Sequence, residues 1–441
     1  MRASENESAC MPGGAASAAG HAVAWLVFGN AVGVMIAVLL LLPRLNLFLG
    51  EWTYGRWMMA HMNSLLFGWC GLPLLGFLFR VYGADRGQLA AWCRPVVWLW
   101  SAALATGCVS WLSGHSSGKL FLDWSGYARV LFPLSMAVLW FFLTVAFVRS
   151  LLLSAESRWA VVAAKATGLL ALFAVPFAIY FASNPAVYPF VNPDTGGPTG
   201  QSQLESSLGV VLILLAMPFG LTTRKEGSWR RTALAWALLA ASMTWCMALG
   251  RADVSHRVLA QWLSLSSMVV WIPLIPAYYG AFEWSSATRQ WRTAFLWWWT
   301  GLVITGCIFF LPGVLDRFKF TDGLVGHSLT AVAGFLTAYV IFAMVQLLGE
   351  QGAWLFNRPW SFWSWNLGVL AYVVLMTGTG WIEGGDPGFT MVSGTLRNVC
   401  YFIRLLTGLA MLAGSVEWLV AALRSPSSSR AAQAAPNPEA A

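Results

Sequence analysis

The sequence predicts an all-α fold lying in a membrane, a polytopic protein with about twelve transmembrane helices. Two observations carry this. Apolar runs of about 20 residues recur from end to end of the chain, each long enough to cross about 30 Å of hydrocarbon as a helix. Of the 441 residues, 58% are hydrophobic and only 10% charged, with a mean hydropathy of +0.65. That balance excludes a soluble domain held by a single hydrophobic anchor.

Glycines, prolines and charge clusters divide the runs. Residues 1–20, rich in Ala, Ser and Gly, read as a disordered cytoplasmic N-terminus without a sharp cleavage signal. A twelve-span domain over 21–424 follows, with spans at 22–42, 58–80, 91–113, 130–151, 159–182, 203–221, 232–250, 259–281, 293–313, 323–347, 362–382 and 398–423. In the first span, Gly29 and Gly33 form a Gly-x-x-x-Gly, the mark of close helix packing. The second span carries His61. Lys165 in the fifth and Glu205 at the start of the sixth are candidates for a proton path, with interfacial placement as the plainer explanation. Between those two spans, Asn192, Pro193 and Asp194 shape a turn, and the glycines from Gly196 to Gly200 lack the strand and the lysine that a phosphate loop needs. Trp297, Trp298 and Trp299 in the ninth span are candidates for an interfacial belt. The tenth span carries His327. Residues 425–441, opening Ser-Pro-Ser-Ser-Ser, read as a disordered cytoplasmic tail.

The net charge of +8 suits cytoplasmic loops against anionic lipid, and no basic patch with interleaved aromatics points to nucleic acid. Basic residues concentrate on the side of the N-terminus, most densely at Arg224, Lys225, Arg230 and Arg231, so both termini are expected in the cytoplasm of a bacterial inner (plasma) membrane. Seven cysteines are scattered (Cys10, Cys70, Cys93, Cys108, Cys246, Cys307, Cys400), with no Cys-x-x-Cys and no Cys-x-x-Cys-His. Neither a thiolate metal site nor a covalent haem is signalled, and each thiol reads as small apolar packing. Histidine inside lipid is expensive and points to function. In this topology His61 and His327 lie at the same depth near the outer ends of their spans. His115 and His256 fall in outer loops, and only His21 falls at the inner side. Neutral imidazoles so placed can be axial ligands of a haem iron.

The surroundings of these residues resemble the catalytic subunit (subunit I) of haem–copper terminal oxidases, especially the cbb3-type. Gly55-Arg56, His61, Asn63 and Phe67-Gly68-Trp69 are similar to the second span of that family. Asp123-Trp124 resembles the approach to the fourth, and Trp262 with Trp271-Ile272-Pro273 the eighth. Phe320-Thr321-Asp322, Gly326-His327 and Gly334 resemble the tenth, and Arg404-Leu405-Leu406-Thr407-Gly408 the twelfth. The resemblance implies the twelve-helix subunit I fold, aerobic respiratory electron transfer toward oxygen, and His61 as the axial ligand of a low-spin haem. It also implies other oxidase subunits or a cytochrome c donor as partners, beside membrane lipid.

The departures concern metal. The family's tenth span has His-x-His, whereas this chain reads His327-Ser328-Leu329, with His327 in the register of the high-spin haem's ligand and leucine in that of the low-spin haem's. Two residues along a helix is about 200°, so His327 cannot face both sides. Where the family has a copper-binding histidine pair, this chain has Ala252 and Asp253, with His256 three residues beyond. Gln201 is the nearest polar residue to a third such position, and Cys246 stands where a tyrosine is expected. These residues predict one noncovalent haem b with cofactor ligands drawn from His61 and His327, no copper, and no autonomous oxygen reduction, while leaving catalytic residues unassigned. A twelve-span transporter and a metal-free structural subunit of an oxidase complex are the alternatives.

Overall fold

The computed structural model describes residues 13–117, 119, 121–153, 159–188, 200–249, 258–392 and 394–424. Twelve long helical segments lie among them: α1 Gly13–Leu41, α2 Tyr54–Tyr82, α3 Gly87–Leu112, α4 Ala128–Leu153, α5 Trp159–Ala182, α6 Ser202–Leu221, α7 Trp229–Leu249, α8 Leu259–Tyr279, α9 Arg289–Phe309, α10 Asp322–Leu348, α11 Pro359–Glu383 and α12 Thr395–Arg424. No strand occurs among the described residues, apart from one isolated bridge between Arg224 and Phe282. Eleven of the twelve are both long and apolar enough to span a membrane. The other, α9, has the length at 21 residues, but opens on Arg289, Gln290 and Arg292 and is diluted by tryptophan.

Two expectations are corrected here. Residues 13–20, read as disordered, form the first two turns of α1. Composition hid a pattern: Ala15, Ala18, Ala19 and Ala22 are buried at helical spacing, a face of minimal bulk that lets neighbours close in. A Cβ on Gly76 of α2 would meet the Ala15 backbone at 3.2 Å. The tryptophan run of α9 is no belt either. Consecutive residues are 100° apart, so only Trp297 faces outward, 74% exposed. Trp298 donates to Asn366 Oδ1 at 2.8 Å and Trp299 to the Trp271 carbonyl at 3.0 Å.

α10 is the centre of the bundle. In its most apolar stretch 72% is buried, against 11% for α5 at the periphery. Around its first half runs a chain of packed neighbours: α2 on α1, α1 on α12, α12 on α11, and α11 on α10. The second halves of α2 and α10 complete the circle by packing on each other.

Both α2 and α10 are interrupted in mid-span by a π-helical stretch, Ser64–Cys70 and Thr330–Leu336. Such turns are rare and favour functional sites. Each opens on a hydroxyl residue that satisfies a carbonyl one turn back: Ser64 Oγ donates to His61 O at 3.0 Å, and Thr330 Oγ1 to Gly326 O at 3.1 Å. A two-bond relay joins the wide turns. Trp69 Nε1 donates to Thr337 Oγ1 at 2.9 Å, and Thr337 donates to Val332 O at 3.0 Å.

Candidate functional site

His61 and His327 each stand three residues ahead of a π-helical stretch, at the same end of the bundle. The shared end follows from Asp322, at the start of α10, which pairs with Arg404, itself an electrostatic neighbour of Tyr54 at the start of α2.

The His61 ring lies against α1. Its Nδ1 donates to the Gly29 carbonyl at 2.7 Å. A carbonyl can only accept, so Nδ1 carries the proton and the lone pair is left on Nε2. Gly33 makes room for the ring, since a Cβ there would stand 2.7 Å from Cε1. The Gly29/Gly33 motif thus packs α1 on α2 as expected, and it does so at the histidine.

His327 has the same protonation logic on a different wall. Thr305 Oγ1 of α9 lies 2.8 Å from Gly301 O and 3.1 Å from His327 Nδ1; when its hydroxyl donates to Gly301 it accepts from Nδ1, and the lone pair is then on Nε2. The ring lies 5.7 Å from Phe309 and close over Gly306. The structure therefore gives the two imidazoles different neighbours, α1 for His61 and α9 for His327. Leu329 is turned 200° from His327, toward the other side of α10, and packs on the core.

Inside the ring of α1, α2, α10, α11 and α12 lies a buried polar cluster. Arg404 Nε donates to Tyr372 Oη at 2.5 Å, and Arg404 Nη1 is 3.7 Å from Asp322 Oδ1. The Asp322 amide donates to Glu383 Oε2 at 2.8 Å. Arg404 is an electrostatic neighbour of His61 as well. Among the described residues, five buried polar atoms on these helices have no hydrogen-bond partner: Trp57 Nε1, Asn63 Oδ1, Asp322 Oδ2 and Thr379 Oγ1, and, farther along α12 among Trp69, Trp291 and Trp365, Trp418 Nε1. Orphans are uncommon in protein interiors and call for a ligand or water. Tyr372 and Thr379 were not singled out in the sequence. The signal available was Arg404, a charge deep in an apolar run.

Other residues fall elsewhere. His21 sits within α1 rather than beside a disordered tail, its Nδ1 2.8 Å from Ser101 Oγ and its ring edge-on to Trp98. His115 is exposed in the α3–α4 loop. There Asp123 accepts from Ser116, Ser117 and Ser125 at 2.7–3.0 Å, and Trp124 stacks on Phe132 at 3.7 Å. Both residues brace the loop. Lys119 in the same loop donates to the carbonyls of Ala182 and Tyr188, and burial pushes its ammonium below the usual lysine range. Glu205 is exposed, and the Lys165 carbonyl accepts from Tyr82 at 3.0 Å. Cys70, Cys93, Cys108 and Cys246 are buried, in keeping with apolar packing, while Cys307 and Cys400 are half-buried. Cys10, residues 189–199, Ala252, Asp253 and His256 lie outside the described residues, as does the side chain of Gln201. Among the described residues no three His, Cys, Asp or Glu side chains converge as a metal cluster.

No protein-family model matches the chain. Over 131 residues it is 30% identical to a protein of Rhodobacter capsulatus described as cytochrome c oxidase subunit 1. The match covers 28% of this chain and 24% of that relative, so about a quarter of the relative's length is spanned. This partial likeness, with the helical architecture, supports an oxidase-like integral membrane protein.

Proposed function

We propose that the chain is a cbb3-like, subunit I-type membrane protein of aerobic electron transfer, carrying one noncovalent b-type haem with His61 as its axial ligand. The observation that carries this is the state of His61. A neutral imidazole is anchored through Nδ1 and keeps Nε2 for a metal, which is how ligating histidines are ordinarily held. The surroundings fit the group. Arg404 supplies positive charge beside the ring, the orphaned atoms of Trp57, Asn63, Asp322 and Thr379 offer further donors and acceptors, and Gly33 gives the imidazole its space. Bound haem would supply a one-electron iron couple. His61 would hold the iron, Gly29 would fix the ring's tautomer and orientation, and the apolar helices would keep water away.

His327 is a second buried imidazole, set against α9 where His61 is set against α1, and we assign it no share in the His61 haem. The copper positions offer Ala252, Asp253 and Gln201, which do not make the imidazole set that copper favours. We therefore propose no copper and no oxygen reduction by this chain alone, with other oxidase subunits or a cytochrome c donor as partners in a bacterial plasma membrane. The transporter alternative expects helices unwound at the midplane. α2 and α10 instead stay continuously helical through their wide turns. A reduced-minus-oxidised spectrum with a pyridine haemochrome assay tests the reading. A b-type haem near one per chain is expected, and its absence from cells able to make haem overturns the proposal.

A further inference from the structure

At the end of the bundle away from the histidines, the α6–α7 and α8–α9 loops are laced together. The Lys225 amide donates to Ala281 O and the Glu283 amide to Thr223 O, each at 3.0 Å, around the Arg224–Phe282 bridge. Ser228 Oγ adds a bond to Ala281 O at 3.0 Å. Between this clamp and the first turn of α9 lies a cavity of about 560 Å³, lined by Lys225, Tyr279, Glu283, Trp284, Arg292 and Leu296 among others.

We propose that this cavity binds the phosphate headgroup of an anionic phospholipid. Charge comes first. Lys225 and Arg292 face Glu283 across the lining, two cations against one carboxylate. Glu283 is already engaged by Thr223, whose hydroxyl donates to Oε2 at 3.2 Å. Among the described residues the Arg292 guanidinium has no hydrogen-bond or ion-pair partner, and its electrostatic neighbour is the like-charged Arg289. Lys225 spends one donor on Gly280 O, at 3.1 Å, and keeps two. Arg292, half-buried, and Lys225, exposed at the rim, outnumber the one carboxylate of the lining, an excess of positive charge that favours an anion, and phosphate suits both.

Depth and shape select a lipid over a soluble anion. The cavity lies at the last turn of α8 and the first of α9, the level at which headgroups meet helix ends. One wall is aromatic: Trp284 stacks on Tyr279 at 5.5 Å and donates to the Tyr279 carbonyl at 2.8 Å. Leu296 leads toward the hydrocarbon. Arg224, Lys225, Arg230 and Arg231 gather at this same end, as the cytoplasmic leaflet with its anionic lipid would favour.

Native mass spectrometry of the delipidated full chain, titrated with phosphatidylglycerol or phosphatidylcholine, tests this. The intact protein is expected to keep one phosphatidylglycerol per chain in preference to phosphatidylcholine. Arg292→Gln and Lys225→Gln should each weaken that binding about fivefold, the worth of one basic residue at an anionic headgroup. Arg292→Lys should retain most of it, and Arg86→Gln, on another loop of the same end, should leave it unchanged. Melting curves confirm that each variant is folded. Equal retention of the two lipids, unchanged binding in both glutamine variants, or displacement of the lipid by millimolar inorganic phosphate would each overturn the proposal, the last by marking a soluble-anion site.

Discussion

An imidazole within a hydrocarbon layer must settle both of its nitrogens. At His61 the Gly29 carbonyl settles one, a bond worth about 1 kcal/mol net, and we assign the other to iron. His61→Ala is accordingly expected to abolish haem retention, while His21→Ala, whose ring is held by Ser101 and Trp98, leaves haem content intact in variants that insert normally. Equal haem in the two proteins refutes the ligand assignment. The glycine beneath the ring gives a finer test. A methyl at Gly33 would press on Cε1, whereas Gly20, on the same helix, has nothing within 4 Å. Gly33→Ala should lower haem content and destabilise the protein by about 1–3 kcal/mol, and Gly20→Ala should do neither. Haem-to-protein ratios and thermal melting read both. The histidines themselves were legible as intramembrane polar residues. Which wall each ring faces was not, because helix rotation is set by packing partners that a sequence does not display. The Tyr372–Arg404–Asp322 cluster was legible only in its charged members, since a tyrosine in an apolar run looks like any other aromatic.

Among the elements, apolar runs of span length are a strong signal, and the twelve long helices fall where the sequence places them. The exceptions have physical causes. The start of α1 buries alanine, whose small size makes it look featureless in composition. α9 is long but compositionally mixed. The π-helical stretches in α2 and α10 left no mark in the hydropathy pattern, because a single extra residue in a wide turn is not visible against an almost uniformly apolar background. They are tied through Trp69 and Thr337. Trp69→Phe removes the connecting donor while keeping an aromatic ring in a fully buried position. The expected loss is about 1–2 kcal/mol, seen as a melting point lowered by a few degrees in detergent. An unchanged melting point would show that the relay contributes nothing to holding the two spans together.

For the whole molecule, the proposed single imidazole per haem would leave a coordination position open. Carbon monoxide should therefore shift the spectrum of the reduced protein. An insensitive, low-spin spectrum would instead mean that two ligands close the iron, which the different walls held by His61 and His327 argue against. Elemental analysis should find no stoichiometric copper, and an oxygen electrode no cyanide-sensitive uptake by the isolated chain. One copper per chain with such uptake would restore a complete oxidase. The partial likeness to an oxidase subunit agrees with the architecture, and the proposed division of labour places electron transfer here and oxygen chemistry in partner subunits.

The wide turns carry one further consequence. A π turn advances the chain by more residues than an α turn, so a helical wheel drawn straight through α2 or α10 goes out of phase midway. Placing nitroxide spin labels one by one along α2 and measuring their reactivity with dissolved oxygen, which enters lipid, should reveal it. Reactivity should follow a 3.6-residue rhythm up to Asn63, stall over 64–70, and resume from Gly71 with its peaks displaced by about a residue. The half of the span that bears His61 and the half that grips α10 are, in effect, two helices keyed to separate partners on one continuous backbone.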